Sequence, residues 1–240
     1  MNVRMWRMMT FSGRVRPGAF LAGASSRVAP LLLALGILPV ATASEPAIDE
    51  PRRVAVLVDD VDDERVAMVD DAVSFWNAAV SDLGLAAPFS EPGHETPPVG
   101  LRPFENYAHQ LSQLAGRLHS SDPGPAPPEA LFRVDAEVVV LLSAQNLMPL
   151  AWPYGDDGRY LVAIPAGDER DNVVRNVIAH ELGHVLGLKH LREPGVLMCQ
   201  PCDTSARSDS QPRFLPLTDL DRERLRNFLG GPDHDVHLDP

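Results

Sequence analysis

Apolar residues form two different patterns near the start of this chain: a continuous run and then a stripe at steps of three and four. These two patterns mark the start of a folded domain. Arg53–Val58 reads Arg-Val-Ala-Val-Leu-Val, a β-rich apolar run that is typical of a buried strand. Asp62 or Asp63 can cap a helix that follows, and Gly84 can end it. Within that segment, apolar residues at steps of three and four form one stripe: Val66, Val69, Val73, Trp76, Val80 and Leu83. The pattern predicts a strand followed by a long amphipathic helix.

Further strands and helices follow, separated by loops rich in proline and glycine. Phe104–Leu118 predicts a second helix, and Val134–Ser143 and Tyr160–Ile164 predict two more strands. The next helix has a core-facing stripe made of Val174, Ile178, Leu182 and Val185. Thr218–Leu229 predicts the last helix, with Thr218 as its cap. These elements indicate one domain of mixed helix and strand.

The N-terminal segment differs in composition from everything that follows. Its first 43 residues hold five arginines and no acidic residue. The apolar run Val28–Val40 is followed by Ala41-Thr42-Ala43, a small-residue cleavage site before Ser44. The run is too short to span a membrane, which favours a signal peptide over a permanent N-terminal anchor. We expect a secreted or periplasmic protein with a signal peptide at 1–43, a linker at 44–51, one domain at 52–230 and a tail at 231–240.

Net charge restricts the partners of the chain. The 240 residues carry a formal charge of −12 at pH 7, and removing the five N-terminal arginines takes it to −17. Such an acidic body repels nucleic acid and anionic membrane surfaces. We therefore expect no nucleic-acid partner and no stable membrane anchor.

The candidate chemistry lies in residues 180–190, which read His-Glu-Leu-Gly-His-Val-Leu-Gly-Leu-Lys-His. On a helix His180 and His184 project from one face, one turn apart, so that their two imidazoles can hold one zinc ion. Glu181 lies about 100° around the helix, where it can reach a water on the metal without being a ligand itself. These three residues predict a metal site with an adjacent acid–base group.

A third ligand can come from the end of the same helix. Gly187 can adopt the left-handed conformation that ends a helix and turns the chain back. That turn would bring His190 to the same ion. Three neutral nitrogens plus one water make the open zinc site of a hydrolase, whereas a structural zinc has four protein ligands. An incidental set of histidines on a buried helix is the alternative.

The pattern H-E-x-x-H-x-x-G-x-x-H, followed by Met198, resembles the signature of the metzincin metalloproteases, and most of all that of the matrixins. The resemblance implies an α+β, metzincin-like catalytic domain: a twisted mixed sheet, a backing helix, an active-site helix and a C-terminal helix. It also implies that Met198 packs beneath the ligands, and that a strand within Leu147–Ile164 pairs with a bound peptide. Leu191 and Gln200 depart from the matrixin pattern, which usually has Ser or Thr and then Pro at these places.

The function implied by the resemblance is zinc-dependent cleavage within a polypeptide substrate. Glu181 would accept a proton from the attacking water as general base and deliver it to the leaving amine. Two alternatives stay open at this point. One is a zinc aminopeptidase or amidohydrolase with the same site, and the other is a catalytically inactive zinc-binding or adhesion module. The presence of Glu181 argues against the inactive module.

The only two cysteines, Cys199 and Cys202, directly follow the methionine turn. Export to an oxidising compartment favours a disulfide between them, and the C-x-x-C spacing can close. A redox-active or metal-binding pair is the competing interpretation, because the same spacing occurs in such sites.

Additional metal sites are less well supported. Matrixins often carry calcium, and Asp156-Asp157 is a candidate, but the sequence favours a polar turn with a solvated acidic tip. A second, structural zinc is not expected, because no histidine occurs between His119 and His180. We expect His94, His109 and His119 to be solvated surface residues.

Overall fold

The computed structural model describes residues 50–97, 99–114, 124–167, 170–200, 202 and 213–230. The predicted signal peptide and tail lie outside the described residues, as does His119. In chain order the elements are β1 (Val54–Leu57), α1 (Glu64–Ser81), β2 (Gly93–Glu95), α2 (Arg102–Leu114), α3 (Glu129–Phe132), β3 (Val138–Leu142), β4 (Leu150–Tyr154), β5 (Arg159–Ile164), α4 (Asp171–Val185) and α5 (Asp219–Leu229).

A five-stranded mixed sheet forms the centre of the domain, with the strand order β2-β1-β3-β5-β4. Strand β1 pairs in parallel with β2 and β3, and β3 pairs in parallel with β5. Strand β4 pairs with β5 in the antiparallel direction and forms one edge of the sheet. The predicted α+β class with a mixed sheet is confirmed.

Helices cover both faces of the sheet, which explains why β1 and β3 are apolar throughout and fully buried. On one face α1 and α4 pack together, with Trp76 at the centre of their contact. On the other face Phe104 and Leu111 of α2 and Leu131 of α3 pack against the strands. The Trp76 Nε1 group donates a hydrogen bond of 2.8 Å to the carbonyl of Ala179, and this bond ties α1 directly to α4.

Several elements differ from the sequence-based expectation. The predicted strand Val134–Ser143 begins only at Val138 and ends at Leu142. The chain bends before Val138, where Arg53 pairs with Asp135 and Glu137 at 2.5 and 2.6 Å. Helix α2 begins at Arg102, and the residues predicted to follow Leu114 lie outside the described part. The short elements β2 and α3 were not predicted.

Helix α5 begins at a capping box and supports the end of α4. The Thr218 side chain accepts from the Asp221 N–H at 3.1 Å, and the Asp221 carboxylate accepts from the Thr218 N–H at 3.0 Å. Phe228 of α5 lies against Gly187, the residue at which the chain leaves α4. The C-terminal helix therefore packs against the turn that leads to His190 and stabilises it.

Candidate metal centre

The three histidines of the motif converge on one point. His180 and His184 lie one turn apart on α4, and His190 approaches them from the following loop. The Nε2 atom of His190 lies 3.1 Å from the Nε2 atoms of both His180 and His184. Among the described residues this is the one group of three or more His, Cys, Asp or Glu side chains arranged to hold a metal ion.

Backbone carbonyls orient the two histidines of the helix. His180 Nδ1 donates to the Leu197 carbonyl at 2.8 Å, and His184 Nδ1 donates to the Leu188 carbonyl at 2.9 Å. Because a carbonyl only accepts, the proton of each ring is on Nδ1 and each Nε2 presents a lone pair. Lone pairs that face one another repel, and a cation placed between them removes that repulsion.

The distances suit zinc. Two nitrogens bound at about 2.0–2.1 Å to a tetrahedral ion lie about 3.3 Å from each other, close to the 3.1 Å observed here. His190 is exposed, while His180 and His184 are half-buried, so one side of the site is open to water. The three rings fit a zinc ion with one coordination position left for water or substrate.

His184 and His190 are also in the protonation state that binds metal. Burial lowers the pKa of His184, and its hydrogen bond to Leu188 only partly opposes the shift. Desolvation, reinforced by the neighbouring His184, lowers the pKa of His190 to about 4. Both imidazoles are therefore neutral near pH 7, as metal coordination requires.

Gly187 redirects the chain after the second ligand. Its φ angle is +76°, and its N–H donates to the His184 carbonyl at 3.0 Å. The Leu188 N–H donates to the Gly183 carbonyl at 3.0 Å, which completes a Schellman turn. A Cβ atom at Gly187 would lie only 3.0 Å from the Phe228 ring. The backbone conformation and the packing of α5 therefore both require glycine here.

The loop beyond His190 folds back beneath α4. The Leu191 N–H donates to the Met198 carbonyl, and the Gln200 N–H donates to the Leu191 carbonyl, each at 2.7 Å. Met198 is fully buried, and its sulfur would lie 2.6 Å from a Cβ added at Gly183. Met198 therefore packs against the backbone of α4 between the two helical ligands, and it forms an apolar floor under them.

The third ligand is oriented by a side chain. The Gln200 side chain hydrogen-bonds the ring of His190. Gln200 lies between Cys199 and Cys202, whose sulfur atoms are 1.99 Å apart, the distance of a disulfide. The short ring closed by this disulfide holds the residue that orients His190.

We predict that Gln200→Ala weakens zinc binding about tenfold, because outer-shell partners of metal-binding histidines contribute at least that much to affinity. Competition with a chromophoric chelator measures the change. Gln200→Glu is the matched control, since it keeps an acceptor at the same distance and should retain most of the affinity. Equal zinc affinity in Gln200→Ala and the unmodified protein would contradict the assigned role.

Glu181 lies next to the ligands but does not join them. Its side chain is buried, and its carboxylate accepts a hydrogen bond from the backbone N–H of Ala151 in β4. Burial raises the pKa of Glu181 to about 8, and the bond from Ala151 opposes the shift. A cation held by the histidines would favour the ionised form. A carboxyl group balanced in this way can accept and then return a proton near neutral pH.

The other candidate ligands lie elsewhere. Asp157 pairs with Arg159 at 2.7 Å, as expected of a polar turn, and the pair Asp156-Asp157 belongs to no metal-binding group among the described residues. His94 lies 3.3 Å from Asp70, and His109 lies 2.7 Å from Gln113. Within the described part of the chain, neither histidine joins the three that converge.

Sequence reasoning missed three contributors to this site. Gly183 is a glycine in the middle of a helix, which costs about 1 kcal/mol relative to alanine and signals a packing constraint. Gln200 was noted only as a departure from a family pattern. Ala151 acts through its backbone N–H, which leaves no mark in the sequence. Of the three, only Gly183 carried a signal that could have been interpreted in advance.

Comparison with known proteins agrees with this geometry. Residues 71–213, more than half of the chain, match the peptidase family described as matrixin. The chain belongs to the matrixin family. This matrixin is also similar to archaemetzincin from Methanopyrus kandleri, with 14% sequence identity, a TM-score of 0.41, and coverage of 75% of this chain and 96% of that one. No curated protein matches the sequence. Family membership and the histidine cluster support a zinc metallopeptidase.

Proposed function

We propose that this matrixin is an exported, zinc-dependent endopeptidase whose general base is Glu181. The proposal rests on one observation: the Nε2 atoms of His180, His184 and His190 converge beside a buried carboxyl group. We assign the signal peptide to residues 1–43, the linker to 44–51, the catalytic domain to 52–230 and the tail to 231–240.

The chemistry divides between the metal and Glu181. Zinc bound by the three histidines would lower the pKa of a water molecule and polarise the scissile carbonyl. Glu181 takes a proton from the attacking water onto a carboxylate oxygen and later donates it to the leaving amine nitrogen. Its raised pKa helps the side chain to hold that proton between the two steps. Met198 holds the ligands from below and takes no part in proton transfer.

A polypeptide is the substrate class that suits this site. Strand β4 forms an edge of the sheet and contacts Glu181 through Ala151. An extended peptide can add to such an edge as a further strand, and its scissile carbonyl can then lie over the metal site. The loop that runs from His190 to Gln200 would border the bound peptide on the side away from β4.

Export is supported by two features. Disulfides such as that between Cys199 and Cys202 persist mainly in oxidising compartments outside the cytosol. The N-terminal segment has the pattern of a signal peptide. Across the described ranges, no helix combines the length and apolar character needed to cross a membrane.

Digestion of a peptide library by purified Ser44–Pro240 tests the function. We expect cleavage at internal bonds, loss of cleavage with a chelator, and recovery when zinc is restored. Stepwise trimming from the amino terminus would instead identify an aminopeptidase. If zinc-loaded protein leaves every peptide intact, the proposal fails in favour of a zinc-binding module without catalytic activity.

A further inference from the structure

The direction of the backbone groups in β5 can be determined from its bonds to neighbouring elements. The Tyr160 N–H donates to the Glu137 carbonyl at 2.9 Å, and the Ile164 carbonyl accepts from the Ser143 N–H at 2.9 Å. Glu137 and Ser143 flank β3, so Tyr160 and Ile164 turn their backbone groups toward β3. Backbone groups alternate in direction along a strand. Leu161 and its alternate neighbours in β5 therefore face β4.

This alternation fixes which residues of β4 face outward. Trp152 is opposite Leu161 and bonds to β5, whereas Ala151 is opposite Val162 and Pro153 is opposite Tyr160. The last two are therefore non-hydrogen-bonded pairs, and the backbone groups of Ala151 and Pro153 point to the open edge of the sheet. The contact between the Ala151 N–H and Glu181 is independent support for this direction.

At Ala151 and Pro153, the open edge of β4 therefore offers a bound strand backbone carbonyls as acceptors but no N–H group as a donor. The carbonyls of Ala151 and Pro153 can each accept a hydrogen bond from a bound strand. The Ala151 N–H is already directed at Glu181. Pro153 has no N–H, and it is exposed at a position where proline costs the sheet no ladder bond.

We propose that the edge of β4 selects peptide substrates by their N–H groups alone. This inference rests on the proposed peptidase function. A bound peptide donates two N–H groups, from residues two apart, to the carbonyls of Ala151 and Pro153. The carbonyl of the substrate residue opposite Pro153 receives no bond from the enzyme. Substrates with proline or an N-alkylated residue at either donating position are therefore cleaved poorly.

An ester scan of one cleaved peptide tests the pattern on the unmodified protein. Each backbone amide except the scissile one is replaced in turn by an ester, which removes one N–H and weakens the adjoining carbonyl as an acceptor. We expect kcat/KM to fall about 2- to 10-fold at each of two positions that are separated by one residue, because each substitution removes one net hydrogen bond. At the residue between them, kcat/KM should change little. A flat scan, or losses at adjacent positions, would overturn the inference.

A second test adds the missing donor. Pro153→Ala should raise kcat/KM about 2- to 10-fold for the full-length peptide, because the new N–H can bond the substrate carbonyl. The same peptide, shortened to end before the residue that faces position 153, is the matched control and should show no gain. An equal effect on both peptides, or no gain on the longer one, counts against the inference.

These results separate the inference from the function on which it depends. If the unmodified, zinc-loaded protein cleaves no peptide, the peptidase function itself fails. If it cleaves peptides but shows a flat ester scan, only the role of the β4 edge fails. Thermal unfolding of Pro153→Ala establishes that the variant is folded, and the ester scan needs no variant.

Discussion

Glu181→Ala will lower kcat/KM for peptide hydrolysis about 10²- to 10⁴-fold while zinc remains bound, because general-base catalysis contributes an effect of this size. Glu181 is buried beside the three ligands and accepts a bond from Ala151, yet it is not part of the histidine cluster. Removing it therefore deletes the proton acceptor and leaves the ligand nitrogens in place. Metal analysis of the purified variant should still give one zinc per chain.

Glu181→Gln is the matched control for this loss. The amide has the same size and can still accept the Ala151 N–H through its oxygen, but it cannot take a proton from water. We expect it to be as inactive as Glu181→Ala, and to bind zinc equally well. Activity within tenfold of the unmodified protein in either variant would exclude Glu181 as the base. Loss of zinc in both would instead point to a structural role.

Patterns of apolar residues predicted the parts of the fold that are long or fully buried. Strand β1 and helix α1 were recognisable because burial imposes a continuous apolar run on one and a stripe on the other. Strand β4 was not, since Leu150–Tyr154 contains an exposed proline and shows no regular alternation. Strand β2 is an exposed segment of three residues that reads Gly-His-Glu, so its sequence carries no apolar signal.

The metal centre was predictable only as far as side chains define it. The spacing of His180 and His184 specifies one helical face, and Gly187 specifies the turn to the third ligand. The groups that orient the two helical histidines are the carbonyls of Leu188 and Leu197. Any residue type supplies a carbonyl, so these partners cannot be recognised in a sequence. They become visible only when the loop is folded beneath α4.

At Gly183, helix propensity and the packing in the structure predict opposite effects of an alanine substitution on stability. In an exposed helix, Gly→Ala is stabilising by about 1 kcal/mol. Here a Cβ atom would lie 2.6 Å from the Met198 sulfur and 3.0 Å from the Trp76 ring. Both side chains are fully buried, and Trp76 is held by its bond to Ala179, so neither can move aside easily. We expect Gly183→Ala to destabilise the protein by about 1–3 kcal/mol, the usual cost of overpacking.

Denaturant unfolding of Gly183→Ala in the Met198→Ala background determines whether this conflict is the cause. Met198→Ala alone should cost about 2–5 kcal/mol, because it leaves a cavity under the ligands. With the Met198 side chain removed, Gly183→Ala should cost clearly less than it does alone, since only the 3.0 Å contact with the Trp76 ring then opposes the helix propensity of alanine. Zinc affinity should fall in the variants that lose stability, because Met198 directly follows Leu197, whose carbonyl accepts a hydrogen bond from His180. A stable Gly183→Ala single variant, or an equal cost in both backgrounds, would show that Met198 does not constrain this position.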